Sequence, residues 1–171
     1  MLEILRKRRS VRQFTGRAVK QSALDCLVEA ALRAPTSRGR NPWRFIFVTD
    51  PALIARLSLA KEHGSAFLRN APLAVVIAAD TETSDVWIED CSIAAIILQL
   101  TAEQLGLGSC WAQIRLRPHD SDRSAEDYVR SLLDLPEHHA VECIVGIGEA
   151  AETHSGHPAD SLESSKVEFR R

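Results

Sequence analysis

Leu73-Ala-Val-Val-Ile-Ala-Ala79 is an unbroken run of apolar residues closed by Asp80. Its length suits a strand rather than a helix. With no polar residue at either alternate position, that strand must be covered on both faces by helices, so it reads as central in its sheet. The flanking sequence supplies those helices. Upstream, Leu24, Leu27, Val28, Ala31 and Leu32 recur at spacings of three and four, which predicts a helix over 20–33, and Pro35 stops it. Arg44-Phe-Ile-Phe-Val48 reads as a strand. Asp50-Pro51 is a helix start, with Asp50 the N-cap acceptor, proline in the first turn, and Leu53, Ile54 and Leu57 the apolar face.

Downstream, Ser84 or Asp85 is the expected cap of a long helix whose second half, Ile93 to Leu100, is apolar nearly all round and which Gly106 ends. Ser109 to Ile114 gives another strand, Ser124 with Asp127 the capping box of a short helix, and Val141 to Gly146 the last strand. Strands alternating with helices give an α+β (α/β layered) arrangement with one sheet between helices. At 171 residues the chain is expected to form a single domain, 1–171. Residues 150–171 are polar and thin in core residues, so they are expected to be a carboxyl-terminal arm, loose or docked elsewhere.

Composition removes several functions. Lys and Arg number 21 against 23 Asp and Glu, a net charge of −2, so no global field draws the chain to nucleic acid or an acidic membrane. The longest uncharged apolar stretch, Cys91 to Ala102, falls short of the ~20 residues that cross a bilayer. The amino end lacks the apolar core of a secretory signal. Cys26, Cys91, Cys110 and Cys143 form no C-x-x-C pair, the pattern of reduced, mostly buried thiols in a cytoplasmic protein. Gly106-Leu-Gly108 begins a dinucleotide fingerprint, but Trp111 occupies the third glycine position. P-loop, zincin and nucleophile-elbow motifs are absent. His138-His139 and His154-x-x-His157 read as solvated surface, with no framework for a metal.

The informative cluster is Arg6-Lys-Arg-Arg-Ser-Val-Arg12, five cations in seven positions of a slightly acidic chain. It fits a solvated helix end, a basic arm for nucleic acid, or a phosphate site in which arginine forks bind bidentately and Ser10 adds a neutral donor. Three segments then resemble one family: Arg8-Arg-Ser-Val-Arg-Gln-Phe14; Ala34-Pro-Thr-Ser37 with Asn41-Pro-Trp43; and Trp87-Ile-Glu-Asp-Cys91 leading to Leu105-Gly-Leu-Gly-Ser-Cys-Trp111. In order and spacing they are similar to the nitroreductase family of FMN-dependent oxidoreductases, and Leu162-Glu-Ser-Ser-Lys166 looks like the closing segment of its short members.

The resemblance implies a mixed sheet flanked by helices, a domain-swapped type of homodimer built around the long helix, and FMN at the subunit interface. Ile93, Ile96, Ile97 and Leu100 supply apolar surface for that interface or fill the protomer core. Position by position, Arg8, Arg9, Ser10 and Arg12 match the motif that holds phosphate and ribityl chain, the last cation facing the pyrimidine edge. Pro35, Thr36 and Ser37, with Asn41, match the loop that reaches the flavin from the other subunit. Ala112 and Gln113 match the segment lying along the ring near N5, through their amides. Lys166 matches the cation that closes on the phosphate. Arg115 and Arg117 either reach the phosphate or face water. Cys110 reads as a packed thiol rather than a nucleophile, and Trp111 as core or flavin-side packing.

The sequence also departs from the family. Gly39 and Asn41 stand where many relatives carry asparagine and glutamine, Gly146-Ile-Gly-Glu-Ala150 lacks the common Gly-aromatic-Pro turn, and 60–70 leaves a short connection over a more open pocket. The implied activity is hydride transfer from NADH or NADPH through FMN to a small acceptor such as a nitroaromatic or quinone, with no protein catalytic acid or base. A flavin-binding or flavin-consuming module without nicotinamide turnover is the alternative.

Overall fold

The computed structural model describes residues 1–170. Strands β1 (Trp43–Val48), β2 (Leu73–Asp80), β3 (Gly108–Gln113) and β4 (His139–Gly148) form one sheet in the order β1-β2-β4-β3. Helices α1 (Leu2–Lys7), α2 (Gln21–Leu32), α3 (Pro51–Leu57), α4 (Trp87–Gln104) and α5 (Ala125–Leu132) surround it. The apolar run read as a central strand is β2, and every residue from Leu73 to Ala79 is fully buried.

Both faces of the sheet are covered. On one, Leu27 and Ala31 of α2 and Cys91, Ala95 and Leu98 of α4 pack on Val75, Ile77, Cys143 and Val145. On the other, Ile54 and Leu57 of α3 and Val129 of α5 pack on Val76, Ala78 and Ile144. Each buried leucine, isoleucine or valine among them contributes about 1.5–3 kcal/mol by leaving water. The four strands pair antiparallel throughout, and the parallel component of the expected mixed sheet is the single bridge of Ser10 with Ser109. Between β2 and β4 the register moves from Ile77 opposite Cys143 to Ala78 opposite Val141, so Glu142 is the extra residue of a bulge.

Helix α4 starts differently from expectation. Its N-cap is Val86, with no side-chain cap. Ser84 and Asp85 are engaged elsewhere: the Ser84 hydroxyl donates to Asp90 Oδ2 at 3.4 Å, and Asp85 pairs with Arg40 at 3.2 Å. Glu89 and Asp90 in the first turn complement the helix dipole instead. The far end matches the reading. Gly106 takes φ +75°, and the N–H groups of Gly106 and Leu107 donate to Glu103 O (3.1 Å) and Ala102 O (2.8 Å), closing the helix as a Schellman turn. Ile93 and Ile96 point away from the sheet and remain about 40% exposed, while Ala94, Ala95 and Leu98 are buried.

His139, expected on the surface, is buried at the start of β4, because the pair His138-His139 continues directly into the strand. Three cysteines are buried and free; Cys26 is free and exposed. Burial pushes the Cys91 thiol up to about 12. Among the described residues no helix is long and apolar enough to cross a membrane, and no cluster of His, Cys, Asp and Glu could hold a metal. Residues 157–170 are exposed, with short 3₁₀ turns at Ala159–Ser161 and Ser164–Lys166.

Asp50 caps α3 as read from the sequence, accepting from the N–H groups of Ala52 (3.1 Å) and Leu53 (3.3 Å). Asp50→Ala is expected to cost about 1 kcal/mol, lowering the melting temperature by about 2–4 °C, as measured by thermal unfolding followed by circular dichroism.

Candidate functional site

Strand β3 is an edge strand, and its outer side is where the arginine-rich segment docks. The N–H of Val11 donates to Ser109 O at 3.0 Å, so the backbone groups of Ser109 face outward. Antiparallel pairing then alternates: Cys110 and Ala112 turn toward Gly146 and Ile144 of β4, while Trp111 and Gln113 turn outward like Ser109. The structure therefore revises one expectation. Gln113 presents its amide at the edge, but the amide of Ala112 is directed into the ladder, and Trp111 takes its place. Gly108 makes the docking possible, since a Cβ there would lie 2.7 Å from Cβ of Val11.

The Gln113 side chain is fixed on the α4 side. Its Oε1 accepts from Trp111 Nε1 at 2.9 Å, and its Nε2 donates to Arg115 O (3.2 Å) and Glu142 Oε1 (3.4 Å). The Arg115 guanidinium stacks 5.8 Å from the centre of the Trp87 ring, which gives that side chain a protein partner.

Cations gather on the other side of the strand around Cys110. Burial raises the pKa of this thiol, against the pull of Arg12, the adjacent Ser10 side chain and Arg8. Lys61 joins them without having stood out in the sequence. Burial lowers its pKa and the Arg117 charge lowers it further, with Cys110 opposing. The charges of Arg8, Arg12 and Lys61 are thus felt at Cys110, on the strand against which Ser10 and Val11 dock, and that of Arg117 is felt at Lys61. Arg8 and Arg9 are half-buried and Arg12 is exposed; Arg9 reaches across to Ser155 O at 2.6 Å. Cys110 itself is buried, as a packed thiol should be.

The segment Pro35–Asn41 lies before β1, at the opposite edge of the sheet. Three strand spacings separate the two edges, roughly 14 Å. The loop is held firmly. The Thr36 hydroxyl donates to Asn41 Oδ1 (2.9 Å) and accepts from the Asn41 N–H (3.1 Å), and the N–H of Ser37 donates to Asp90 Oδ1 at 2.9 Å. Asp90 is only 3% exposed and ties the loop to α4. Arg38 and Asn41 take φ of 54° and 50°, a strained backbone for side-chain-bearing residues that often marks a ligand clamp. Pro35 and Ser37 remain exposed.

Lys166 is exposed and pairs with Glu163 at 2.8 Å. The fold thus brings Arg8, Ser10, Arg12 and Gln113 to one edge of the sheet and the 35–41 loop to the other, while Lys166 pairs with Glu163 in the tail. Asp90 stood in a quoted motif without a role. A single lysine such as Lys61 in a polar connection carries no pattern that sequence reading could have used.

The sequence model described as Nitroreductase family matches residues 5–61 and 58–149. A protein of Archaeoglobus fulgidus, provisionally named an NADH dehydrogenase/NAD(P)H nitroreductase, is 32% identical over 163 residues, spanning 93% of this chain and 90% of that protein. An NADH dehydrogenase of Thermus thermophilus is 29% identical, covering 94% of this chain and 91% of its own length. Among solved structures, an FMN-dependent nitroreductase from Clostridium difficile superposes with a TM-score of 0.98 at 45% identity, covering 100% of this chain and 99% of the other.

Glu142, on the bulge beside Gln113, is 4% exposed and its Oε2 has no hydrogen-bond partner. Burial raises its pKa; the Gln113 hydrogen bond and the Arg115 charge oppose this, and Glu126 and Glu89 add to it. A carboxyl that titrates higher folded than unfolded contributes most below the unfolded value, and stability falls as pH rises from there to the folded value. Glu142→Gln is therefore expected to match the wild type near pH 4 and to exceed it in melting temperature by a margin that grows toward neutral pH and then levels off. A margin constant across pH 4–8 would contradict the assignment.

Proposed function

The chain belongs to the nitroreductase family, and we propose that it is an FMN-dependent oxidoreductase that takes reducing equivalents from NADH or NADPH and delivers them to a small acceptor such as a nitroaromatic or quinone. The observation that carries this reading is the docking of the arginine segment, residues 8–12, on the outer edge of β3, through the bridge of Ser10 with Ser109 and the Val11 N–H bond to Ser109 O. It lies beside the outward amides of Trp111 and Gln113, and the charge of Lys61 is felt at the same strand. That donor set fits FMN: guanidinium forks and a hydroxyl for the phosphate, fixed cations for the pyrimidine edge, and backbone N–H groups for the ring. Bound FMN would supply the hydride chemistry at N5, so no protein acid or base is required.

The chain's own residues bind, orient and polarise. Arg8 and Ser10, with Arg9 beside them in sequence, are the donors assigned to the phosphate, and their nearness to Cys110 on β3 supports this. Arg12 and Lys61 present positive charge that needs no solvent rearrangement when negative charge develops nearby. The 35–41 loop lies at the opposite edge of the sheet from this cluster, which supports a homodimer in which a second copy completes each site. The exposed apolar side chains of Ile93 and Ile96 on α4, Leu2 and Leu5 on α1, and Leu162, Val167 and Phe169 in the tail give such a copy a surface to cover. Free thiols at four positions are in keeping with a cytoplasmic setting.

The purified protein is expected to be yellow and to release FMN on heating, and anaerobic NADH or NADPH is expected to bleach it. Initial rates measured against both substrates are expected to give parallel double-reciprocal lines; intersecting lines would exclude the ping-pong sequence. A flavin that stays oxidised under NADH and NADPH would favour a module that only binds or consumes flavin. Arg12→Ala is expected to weaken FMN binding by about tenfold to a hundredfold, the worth of a hydrogen bond to a charged group, with little change in melting temperature of the flavin-free protein.

A further inference from the structure

Residues 149–156 run back along the arginine segment and fasten it at successive points. The N–H of Thr15 donates to Glu149 O at 3.0 Å and the N–H of Ala151 to Gln13 O at 2.9 Å, around an antiparallel bridge of Phe14 with Ala150. Glu152 Oε1 then accepts from the backbone N–H groups of Arg12 (2.8 Å) and Gln13 (3.2 Å), and His154 Nε2 stands 3.1 Å from the same oxygen. The Arg9 guanidinium donates to Ser155 O at 2.6 Å. Finally, Gly156 lies so close to the Arg6 carbonyl that a Cβ would fall 1.7 Å from its oxygen. Closeness, not a left-handed backbone, is what demands glycine there.

A carboxylate this near a cluster meant for an anion is electrostatically the wrong sign. Its geometry explains its presence, because the oxygen is committed to backbone N–H groups of the segment and not to the guanidinium of Arg12. Without it, Arg12 and Gln13 would lose the bonds that fix their backbone, and an incoming anion would have to order them as it bound. We propose that Glu152 is a positioning residue for the flavin-binding cations: with the strap that ends at Gly156, it holds Arg9 and Arg12 in place before FMN arrives. This rests on the FMN reading given above.

Charge and positioning predict opposite signs, which makes the test decisive. FMN affinity is read by quenching of FMN fluorescence on titration into flavin-free protein, and order in residues 8–13 by amide hydrogen exchange of the same protein. Glu152→Ala is expected to weaken FMN binding about tenfold and to speed exchange at Arg12 and Gln13. Glu152→Gln keeps the acceptor oxygen and removes the charge, so it is expected to bind FMN at least as tightly as the wild type. If charge alone matters, both variants bind more tightly, and the proposal is overturned. Equal affinity in Glu152→Ala and wild type overturns it as well. Should Glu152→Ala not fold, Gly156→Ala loosens the strap from its other end and must also weaken FMN binding; unchanged affinity there is a refutation. A wild type that takes up no FMN sinks the flavin reading itself and this proposal with it, whereas failure of the variants alone sinks only the positioning role.

Discussion

The hydrogen bond from the Val11 N–H to Ser109 O is the constraint on which the site depends. An edge strand of a buried sheet carries backbone groups that must find partners or be covered. The amino-terminal segment covers the first part of β3 and then leaves it, since only Ser10 bridges to Ser109. The outward amides of Trp111 and Gln113 lie beyond the stretch that the segment covers, on the strand where the charges of Arg8, Arg12 and Lys61 are felt. Had the segment run on as a full fifth strand, those groups would be consumed by the ladder. Glycine at 108 is part of the same requirement, because any side chain there would displace Val11 and with it the arginines.

Most of the scaffold was legible because its signals are local. A run without polar residues can only be buried, and β2 is; Asp50-Pro51 and Ser124 with Asp127 are caps that need no tertiary knowledge, and both form. Strand direction was not legible, since an apolar run covered on both faces reads the same in a parallel sheet and in this antiparallel one. The start of α4 failed for a related reason. Ser84 and Asp85 are good caps in isolation, but Asp90 and Arg40 compete for their side chains, and those partners are far away in sequence.

The site residues divide in the same way. Arg8, Ser10 and Arg12 stood out because charge density in a short segment is visible without a fold. Lys61 and Glu152 come to the segment only when the chain folds back, the first within electrostatic reach of Cys110 and the second onto the Arg12 and Gln13 amides. The inward turn of the Ala112 amide was equally hidden, because it is fixed by register with Ile144 rather than by residue type.

The balance of charge across these residues explains why the cluster persists. Burial and Arg117 both depress the Lys61 pKa, so these like charges are held together against their repulsion. The nearby acids are not paired with these cations: Glu149 is engaged by Thr15 and Arg17, and Glu152 by backbone N–H groups and His154, although the Glu152 charge is felt at Cys110. The field at the β3 edge is thus only partly compensated, in a chain whose net charge is −2. An anion settling there removes a repulsion the fold already bears, so binding free energy comes from relief inside the protein as well as from the new contacts. The same bias explains why Cys110, although surrounded by cations that favour a thiolate, remains a raised and buried thiol: desolvation at the strand outweighs them, and the positive charge is left for a ligand.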